Sequence, residues 1–185
     1  MISTIIELPS SKFRGTVRHI MLYHYMKYRK GKILDIGSGL GVFGIDNNST
    51  ALEPNGEAVK IMKKKGINAV CGTGQNIPFP DNIFDTVTCF HVIEHTKDGE
   101  KIIKEAHRVL KTGGTFILAV PDWDTFNDYK DCGHVRFYSQ NMCLKHMLNS
   151  GFDVIKTGYG YQLDIKRMKF VREMYFIGVK NAIDK

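Results

Sequence analysis

Short apolar runs and amphipathic stretches alternate along most of the chain. The runs are rich in β-branched or aromatic residues and are bounded by Gly, Pro, Asp or Asn, a pattern typical of buried parallel strands. They occupy 32–36, 50–52, 69–71, 86–90 and 115–120. Between them, 56–65 and 98–110 place apolar side chains at helical spacing, with lysines and glutamates on the opposite face. This alternation predicts an α/β fold with a doubly wound sheet.

The C-terminal region predicts one further helix and two further strands. Segment 139–149 has the pattern of a helix, with Ser139 as its N-cap and Gly151 as its stop. Strands are predicted at 152–158 and 173–180.

The glycine-rich segment near the start of this pattern carries the first functional information. Segment 33–41 reads Ile-Leu-Asp-Ile-Gly-Ser-Gly-Leu-Gly, and 52–54 reads Leu-Glu-Pro. This combination predicts a strand that ends in a backbone-lined turn, beside a second strand whose carboxylate can bind a ribose. The sequence therefore predicts a site for an adenosine-bearing cofactor.

The spacing of the glycines indicates which cofactor. A dinucleotide site requires Gly-x-Gly-x-x-Gly, but here the third glycine comes one residue early. Asp35 also lies two residues before Gly37, where its charge would repel a pyrophosphate. S-adenosylmethionine carries an ammonium and a sulfonium group and no phosphate, so a carboxylate attracts it. The pattern favours S-adenosylmethionine.

Several motifs then follow in a fixed order. They are 34–41 (LDIGSGLG), 52–54 (LEP), 72–80 (GTGQNIPFP), 84–85 (FD), 90–95 (FHVIEH) and 106–115 (AHRVLKTGGT). With them, about two-thirds of the chain resembles the class I, seven-strand S-adenosylmethionine-dependent methyltransferases of the small-molecule type related to ubiquinone-biosynthesis methyltransferases. Thr112 stands where that family usually has proline. The resemblance implies a three-layer, mostly parallel sheet of seven strands with one antiparallel strand in a final hairpin.

The resemblance also implies a set of cofactor contacts. Glu53 would accept both ribose hydroxyls, because its two oxygens match two vicinal donors. Asp35 would either hold the ammonium group through water or orient the turn by accepting backbone N–H groups. Thr73 stands where the family usually has an aspartate for the adenine amino group, which leaves that role to its hydroxyl, to the Gly74 backbone or to Gln75. The full candidate set is Asp35, Gly37, Ser38, Gly39, Glu53, Pro54, Thr73, Gly74, Phe90 and His91.

The connection between the first two strands departs from the family. Glu53 follows Asp35 by only 18 positions, and 42–48 contains Gly, Asp and Asn residues that are poor helix formers. We therefore expect the first crossover helix to be shortened to a turn.

Methyl transfer from a sulfonium is an in-line displacement with a neutral leaving group, so positioning supplies much of the rate. A hydroxyl or protonated amine acceptor would also need a general base. Candidates are His91, at the end of the fourth strand, and His134, in a segment that resembles the family's acceptor-side H-x-x-x-F-S. The alternatives are that His91 only lines the cofactor pocket and that His134 only caps a loop.

Three further residues are candidates for binding the acceptor. Arg136 could hold an anionic group, and Trp123 and Tyr138 could line a pocket for a planar or lipid-like molecule. Aromatic residues in a loop can also pack as a lid, so the two interpretations stay open.

Length and composition indicate the domain organisation and the cellular location of the protein. The chain has the length of one domain, 1–185, with an N-terminal helical cap at 1–31 that includes a helix at 16–29, and an acceptor-side loop at 121–138. The four cysteines form no Cys-x-x-Cys pair, which predicts free thiols in a reducing compartment. No apolar run is long enough to span a bilayer, so a cytoplasmic location is expected. The histidines lack paired ligand spacing, so no metal site is predicted.

The sequence disfavours several other functions but leaves one alternative open. The net charge of +7 falls mostly on predicted solvated helix faces, so nucleic acid is not expected as a partner. Methylation of a nucleic-acid base would call for a motif such as Asn-Pro-Pro-Tyr after the fourth strand, which 90–93 does not provide. Methylation of RNA or of protein is therefore the least favoured activity. A non-catalytic accessory protein that binds S-adenosylmethionine remains the alternative, because of Thr73 and the short crossover.

Overall fold

A computed structural model of the chain describes residues 25–41, 46–122, 133–164 and 169–181. These residues form a seven-stranded sheet with strand order 3-2-1-4-5-7-6. Strand β7 is antiparallel to both of its neighbours, and the pairs among β1 to β5 are parallel. The strands are β1 (Ile33–Ile36), β2 (Ser49–Glu53), β3 (Ala69–Cys71), β4 (Phe84–Phe90), β5 (Leu110–Pro121), β6 (Phe152–Asp164) and β7 (Lys169–Lys180). The predicted fold is confirmed.

Three α-helices and one 3₁₀ helix lie entirely within the described residues. They are α1 (Gly56–Lys64), the 3₁₀ helix (Ile93–His95), α2 (Gly99–Val109) and α3 (Gln140–Asn149). Ser139 caps α3 as predicted, because its side chain accepts the N–H of Met142. None of the described helices has the length and hydrophobicity needed to cross a membrane. Of the predicted helix at 16–29, residues 16–24 lie outside the described residues.

Both faces of the sheet are covered, which explains the near-continuous apolar composition of the central strands. Alternate residues of β5 belong to two different core clusters: Phe116 and Leu118 contact the layer of α2 and α3, while Ile117 and Ala119 pack with Tyr25. Because successive side chains of a strand point to opposite faces, these two clusters cover the two faces of the sheet.

The hairpin of β6 and β7 is longer than predicted. The strands continue through 159–164 and 169–172, with Asp164 paired to Lys169. The sequence carried a signal for this extension, since Tyr159, Tyr161 and Leu163 alternate with glycine or polar residues, but the glycines at 158 and 160 interrupt the apolar run and the predicted strand ended there. The prediction for the first crossover lies partly outside the described residues, which omit 42–45; the flanking segments 39–41 and 47–48 are turns.

The topology brings several candidate residues to one edge of the sheet. Strand β1 lies between β2 and β4. The connection after β1 leads to β2 on one side, whereas the connection after β4 leads to β5 on the other side. Ligands of open α/β sheets bind at the carboxyl ends of the strands beside such a switch point. The glycine turn follows β1, Glu53 ends β2 and His91 follows β4.

Candidate functional site

The turn after β1 requires glycine. Gly37 and Gly39 have φ values of 67° and 58°, which side chains rarely adopt. A Cβ on Gly37 would also collide with Val92, so the turn lies directly against the segment after β4. A Cβ on Gly39 would have no described atom within 4 Å. The turn therefore presents bare backbone to the open edge of the sheet, where a ligand can approach closely.

Glu53 connects this turn to the end of β2. Its Oε2 accepts the N–H of Gly39 at 2.9 Å, and its Oε1 accepts the N–H of Asn55 at 3.0 Å. Each carboxylate oxygen can accept more than one hydrogen bond. Glu53 is only partly buried, so its remaining lone pairs can accept hydroxyl groups from a ligand that lies over the turn.

Asp35 is a buried carboxylate in the middle of β1, with a side chain that is only partly satisfied. Its Oδ1 accepts the hydroxyl of Thr88 at 2.6 Å, while its buried Oδ2 has no hydrogen-bond partner among the described residues. Burial raises the pKa of Asp35 to about 7, although the Thr88 hydrogen bond and the charge of Arg29 act in the opposite direction. Glu53, and not Asp35, binds the backbone of the turn, so Asp35 keeps one oxygen for a cationic group or a water molecule.

The segment expected to contact adenine packs against the ends of β1 and β2. A Cβ on Gly74 would lie 2.8 Å from Cγ2 of Ile36, so only glycine fits this approach. Thr73 and Pro54 are exposed beside it. Gln75 donates to the hydroxyl of Thr96 at 2.7 Å and so links this segment to the region after β4.

Two of the candidate cofactor residues direct their side chains into the core. The hydroxyl of Ser38 is buried and contacts the sulfur of Met62 at 3.8 Å. Phe90 packs with Tyr25, at 6.0 Å between ring centroids, and belongs to the same core cluster as Ile117. Ser38 and Phe90 therefore can reach a ligand at the sheet edge only through their backbone.

His91 lies between two buried carboxylates. Its backbone has φ 56°, its Nε2 lies 2.8 Å from Oε2 of Glu173, and its Nδ1 lies 3.5 Å from Oε1 of Glu94. Burial alone would lower the pKa of His91, but the hydrogen bonds and charges of Glu173 and Glu94 outweigh it and raise the pKa to about 9. Tyr25 also donates a hydrogen bond to Glu173. At neutral pH, His91 is therefore an imidazolium.

Glu173 and Tyr25 were missed in the sequence analysis. Glu173 is 82 residues from His91 and 148 residues from Tyr25, so no local spacing links them. The available signal was an acidic residue at the start of the apolar run 174–179, since a buried carboxylate requires a partner.

A cleft lies at the carboxyl end of β5 and contains most of the candidate acceptor residues. It is shallow and open to solvent, and it is lined by Glu94, Val120, Pro121, His134, Arg136, Phe137 and Tyr138. His134 is half-buried, and burial lowers its pKa, so the imidazole is neutral at pH 7. The exposed Arg136 lies over the ring of Tyr138 at 5.6 Å, while Tyr138 itself is buried. Trp123 lies outside the described residues.

Hydrogen bonds to the 3₁₀ helix hold one wall of this cleft. The backbone N–H groups of Val135 and Arg136 donate to the carbonyl of Glu94 at 2.9 and 3.2 Å. The ring of His95 contacts that of His134 with 4.7 Å between centroids. Glu94 and His134 therefore face the same space although they are far apart in sequence.

Comparison with known proteins is consistent with this arrangement. A family model described as a methyltransferase domain matches residues 34–118. A relative from Methanocaldococcus jannaschii, the uncharacterised protein MJ1123, is 38% identical over 141 residues, which cover 69% of this chain and 67% of that protein. The sterol 24-C-methyltransferase of Yarrowia lipolytica is 28% identical and covers 76% of this chain and 45% of that enzyme. The chain thus spans between about half and two thirds of the length of these curated relatives.

A solved structure shares the fold. An S-adenosylmethionine-dependent methyltransferase of Thermotoga maritima superposes with a TM-score of 0.76, at 21% identity, over 92% of each chain. The fold and the site at its switch point define the class I methyltransferases. The chain belongs to the methyltransferase domain family, and S-adenosylmethionine is the cosubstrate that this family implies.

Proposed function

We propose that this protein transfers the methyl group of S-adenosylmethionine to an oxygen or nitrogen atom of a small molecule. The observation that carries the proposal is the meeting of three features at the carboxyl edge of the sheet. These are the bare glycine turn, the Glu53 carboxylate bound to it, and the buried Asp35 with an unsatisfied oxygen. Together they suit a ligand that has vicinal hydroxyls and positive charge and lacks phosphate.

In this proposal Glu53 would hold the ribose of a cofactor bound at the turn, and Thr73 and Gly74 would contact its adenine. Asp35 would hold the ammonium group with its unsatisfied oxygen, directly or through water. The residues present therefore fit S-adenosylmethionine, which would supply an electrophilic methyl group on a positively charged sulfur.

The acceptor would occupy the cleft beside β5. The sulfur–methyl bond breaks as the bond from methyl to the acceptor forms, the sulfonium becomes a neutral thioether, and the proton of the acceptor must be removed. His91 is already protonated at neutral pH, which argues against it as a general base. His134 is neutral there and lines the cleft, so the protein's proton acceptor is His134 in this proposal, and His91 orients the edge of the cofactor site.

The chemistry of the cleft limits the acceptor. Val120, Phe137 and Tyr138 supply apolar surface, and Arg136 supplies a positive charge at the rim. This combination suits a planar or lipid-like acceptor with an anionic group, which agrees with the resemblance to ubiquinone-biosynthesis methyltransferases. A carbon acceptor is a second candidate, because one relative is named as a sterol 24-C-methyltransferase.

The proposal is tested by titrating the purified protein calorimetrically with S-adenosylmethionine and with S-adenosylhomocysteine. We expect micromolar binding of both and a loss of about 1 to 3 kcal/mol of binding free energy in Glu53→Ala, since a charged hydrogen-bond partner is removed. Glu57→Ala is the matched control, because Glu57 is an exposed acid in the first turn of α1. Unchanged affinity in Glu53→Ala would refute the cofactor assignment.

The same titration separates the alternative function. A non-catalytic accessory protein would bind the cofactor yet release no S-adenosylhomocysteine with any acceptor in a panel of hydroxylated, amino and quinone-type molecules. Release with one member of the panel supports catalysis and identifies the class of acceptor.

A further inference from the structure

Glu94, His95 and His134 meet beside the cleft. Each offers one possible metal-ligand atom, and the three atoms lie within 4.8 Å of one another. We propose that these residues bind a divalent transition-metal ion, with zinc the expected occupant. The pattern of histidines along the chain predicted no metal site, because His134 is 39 positions beyond His95 and only the fold brings them together.

The buried carboxylate of Glu94 is the first argument. Glu94 is 3% exposed, and neither of its oxygens has a hydrogen-bond partner among the described residues. Its one described ion-pair contact, to Nδ1 of His91 at 3.5 Å, is long, and His91 is bound more closely by Glu173 at 2.8 Å. The long contact with His91 leaves a buried carboxylate short of hydrogen bonds, and a cation in the cluster would supply the missing contacts.

The orientation of His95 is the second argument. Its Nδ1 lies 3.2 Å from the carbonyl oxygen of Gly133, which can only accept a hydrogen bond. Nδ1 of the neutral ring therefore carries the proton, and Nε2 presents its lone pair. Histidines that bind metals almost always donate their other N–H to a carbonyl or carboxylate in this way.

The local backbone fixes the cluster before any ion binds. The 3₁₀ helix carries Glu94 and His95 as neighbours, and the carbonyl of Glu94 accepts the N–H groups of the two residues that follow His134. Ligands from two separate segments are thereby held together. The three ligand atoms lie within 4.8 Å of one another, so they must move slightly closer together to bind one ion. Because His95 is exposed, its side chain can make this movement.

The donor set indicates the kind of ion. Two imidazoles and one carboxylate suit zinc and neighbouring transition metals, whereas magnesium and calcium prefer oxygen ligands throughout. Three protein ligands leave coordination positions open, as in catalytic zinc sites. Because Glu94 and His134 also line the cleft, an open position would face the space proposed for the acceptor.

This position has a consequence for catalysis that rests on the proposed function. A bound ion would attract an acceptor oxygen and lower its pKa, and His134 would then hold the ion, so its role as proton acceptor would apply to the metal-free protein. The binding of the metal itself does not depend on methyl transfer, so it is tested without cofactor or acceptor.

The experiment uses untagged protein freed of metal by a chelator. It is titrated with Zn²⁺ by calorimetry and with Co²⁺ by visible absorption, which reports the coordination geometry. We expect one equivalent of each ion to bind, with a four- or five-coordinate cobalt spectrum. Glu94→Gln and His95→Ala should each weaken binding by at least about tenfold. His146→Ala is the control, because His146 lies in α3 and pairs with Glu100 at 3.1 Å, outside the cluster.

Two results would overturn the site: wild-type protein that binds neither ion, or binding that is equal in wild type, Glu94→Gln and His95→Ala. His95 is exposed, so His95→Ala decides the question even if the buried Glu94→Gln fails to fold. Cofactor titration of the same samples keeps the two proposals distinguishable, since wild-type protein that binds S-adenosylmethionine but neither metal ion refutes the metal site only.

Discussion

Replacing Glu173 with Gln tests the charge state that the structure gives to His91. The variant keeps the shape of the buried side chain and removes the closer of the two carboxylates that hold the imidazolium. The difference between a pKa of about 9 and the ordinary value of 6.5 corresponds to about 3 kcal/mol of stability. Since the folded-state pKa is raised, this contribution is complete below pH 6.5 and is lost as the pH rises through about 9.

Two assays measure this effect. Proton NMR should show one of the seven histidines titrating near pH 9, and Glu173→Gln should lower that midpoint by about 1 unit or more. The resonance is assigned with His91→Asn, because Asn tolerates the left-handed backbone of this position. Urea unfolding at pH 6.5 and 9.5 should show a smaller loss of stability with rising pH in Glu173→Gln than in wild type. A wild-type His91 that titrates below pH 7 would refute the reasoning.

Two further predictions concern the glycine turn and the carboxylate beneath it. In urea unfolding, Gly37→Ala should destabilise the protein by at least about 1 kcal/mol more than the control Gly66→Ala. Both positions have positive φ, but only the Cβ at position 37 collides with Val92. Equal losses of stability in the two variants would contradict this. Asp35→Asn should weaken cofactor binding, yet gain stability relative to wild type as the pH rises from about 4 to about 7, because over this range the folded wild type retains a proton on the buried carboxyl that the unfolded chain has lost. Parallel pH profiles of melting temperature for Asp35→Asn and wild type would argue against that buried charge.

The sequence predicted the parts of the fold that depend on neighbouring residues. The glycine turn, the acid that ends β2 and the Ser139 cap are local patterns, and the central strands are marked by apolar runs. Which way a side chain points is a different question. Ser38 and Phe90 are in the expected segments, but both direct their side chains into the core because layers cover both faces of the sheet.

The candidate site could be predicted where its parts follow consecutive strands of the sheet. The turn and Glu53 are separated by a single crossover, so their proximity follows from the doubly wound order. The partners of His91 come instead from β7 and from the residues around Tyr25, and His134 reaches Glu94 through a long connection. Such pairs depend on the final hairpin and on backbone bonds between distant segments, which spacing along the chain does not encode.

The hydrogen bond between His91 and Glu173 can form only after β7 has been synthesised, so it forms late in folding during translation. A ribosome completes β1 to β5 well before it reaches β7, and long-range pairings of this kind form late. A nascent chain that ends before β7 has His91 without its closer carboxylate and β5 without an antiparallel neighbour. The contact between His91 and Glu173 thus forms only when β7 pairs with β5, so a raised pKa of His91 would report that pairing.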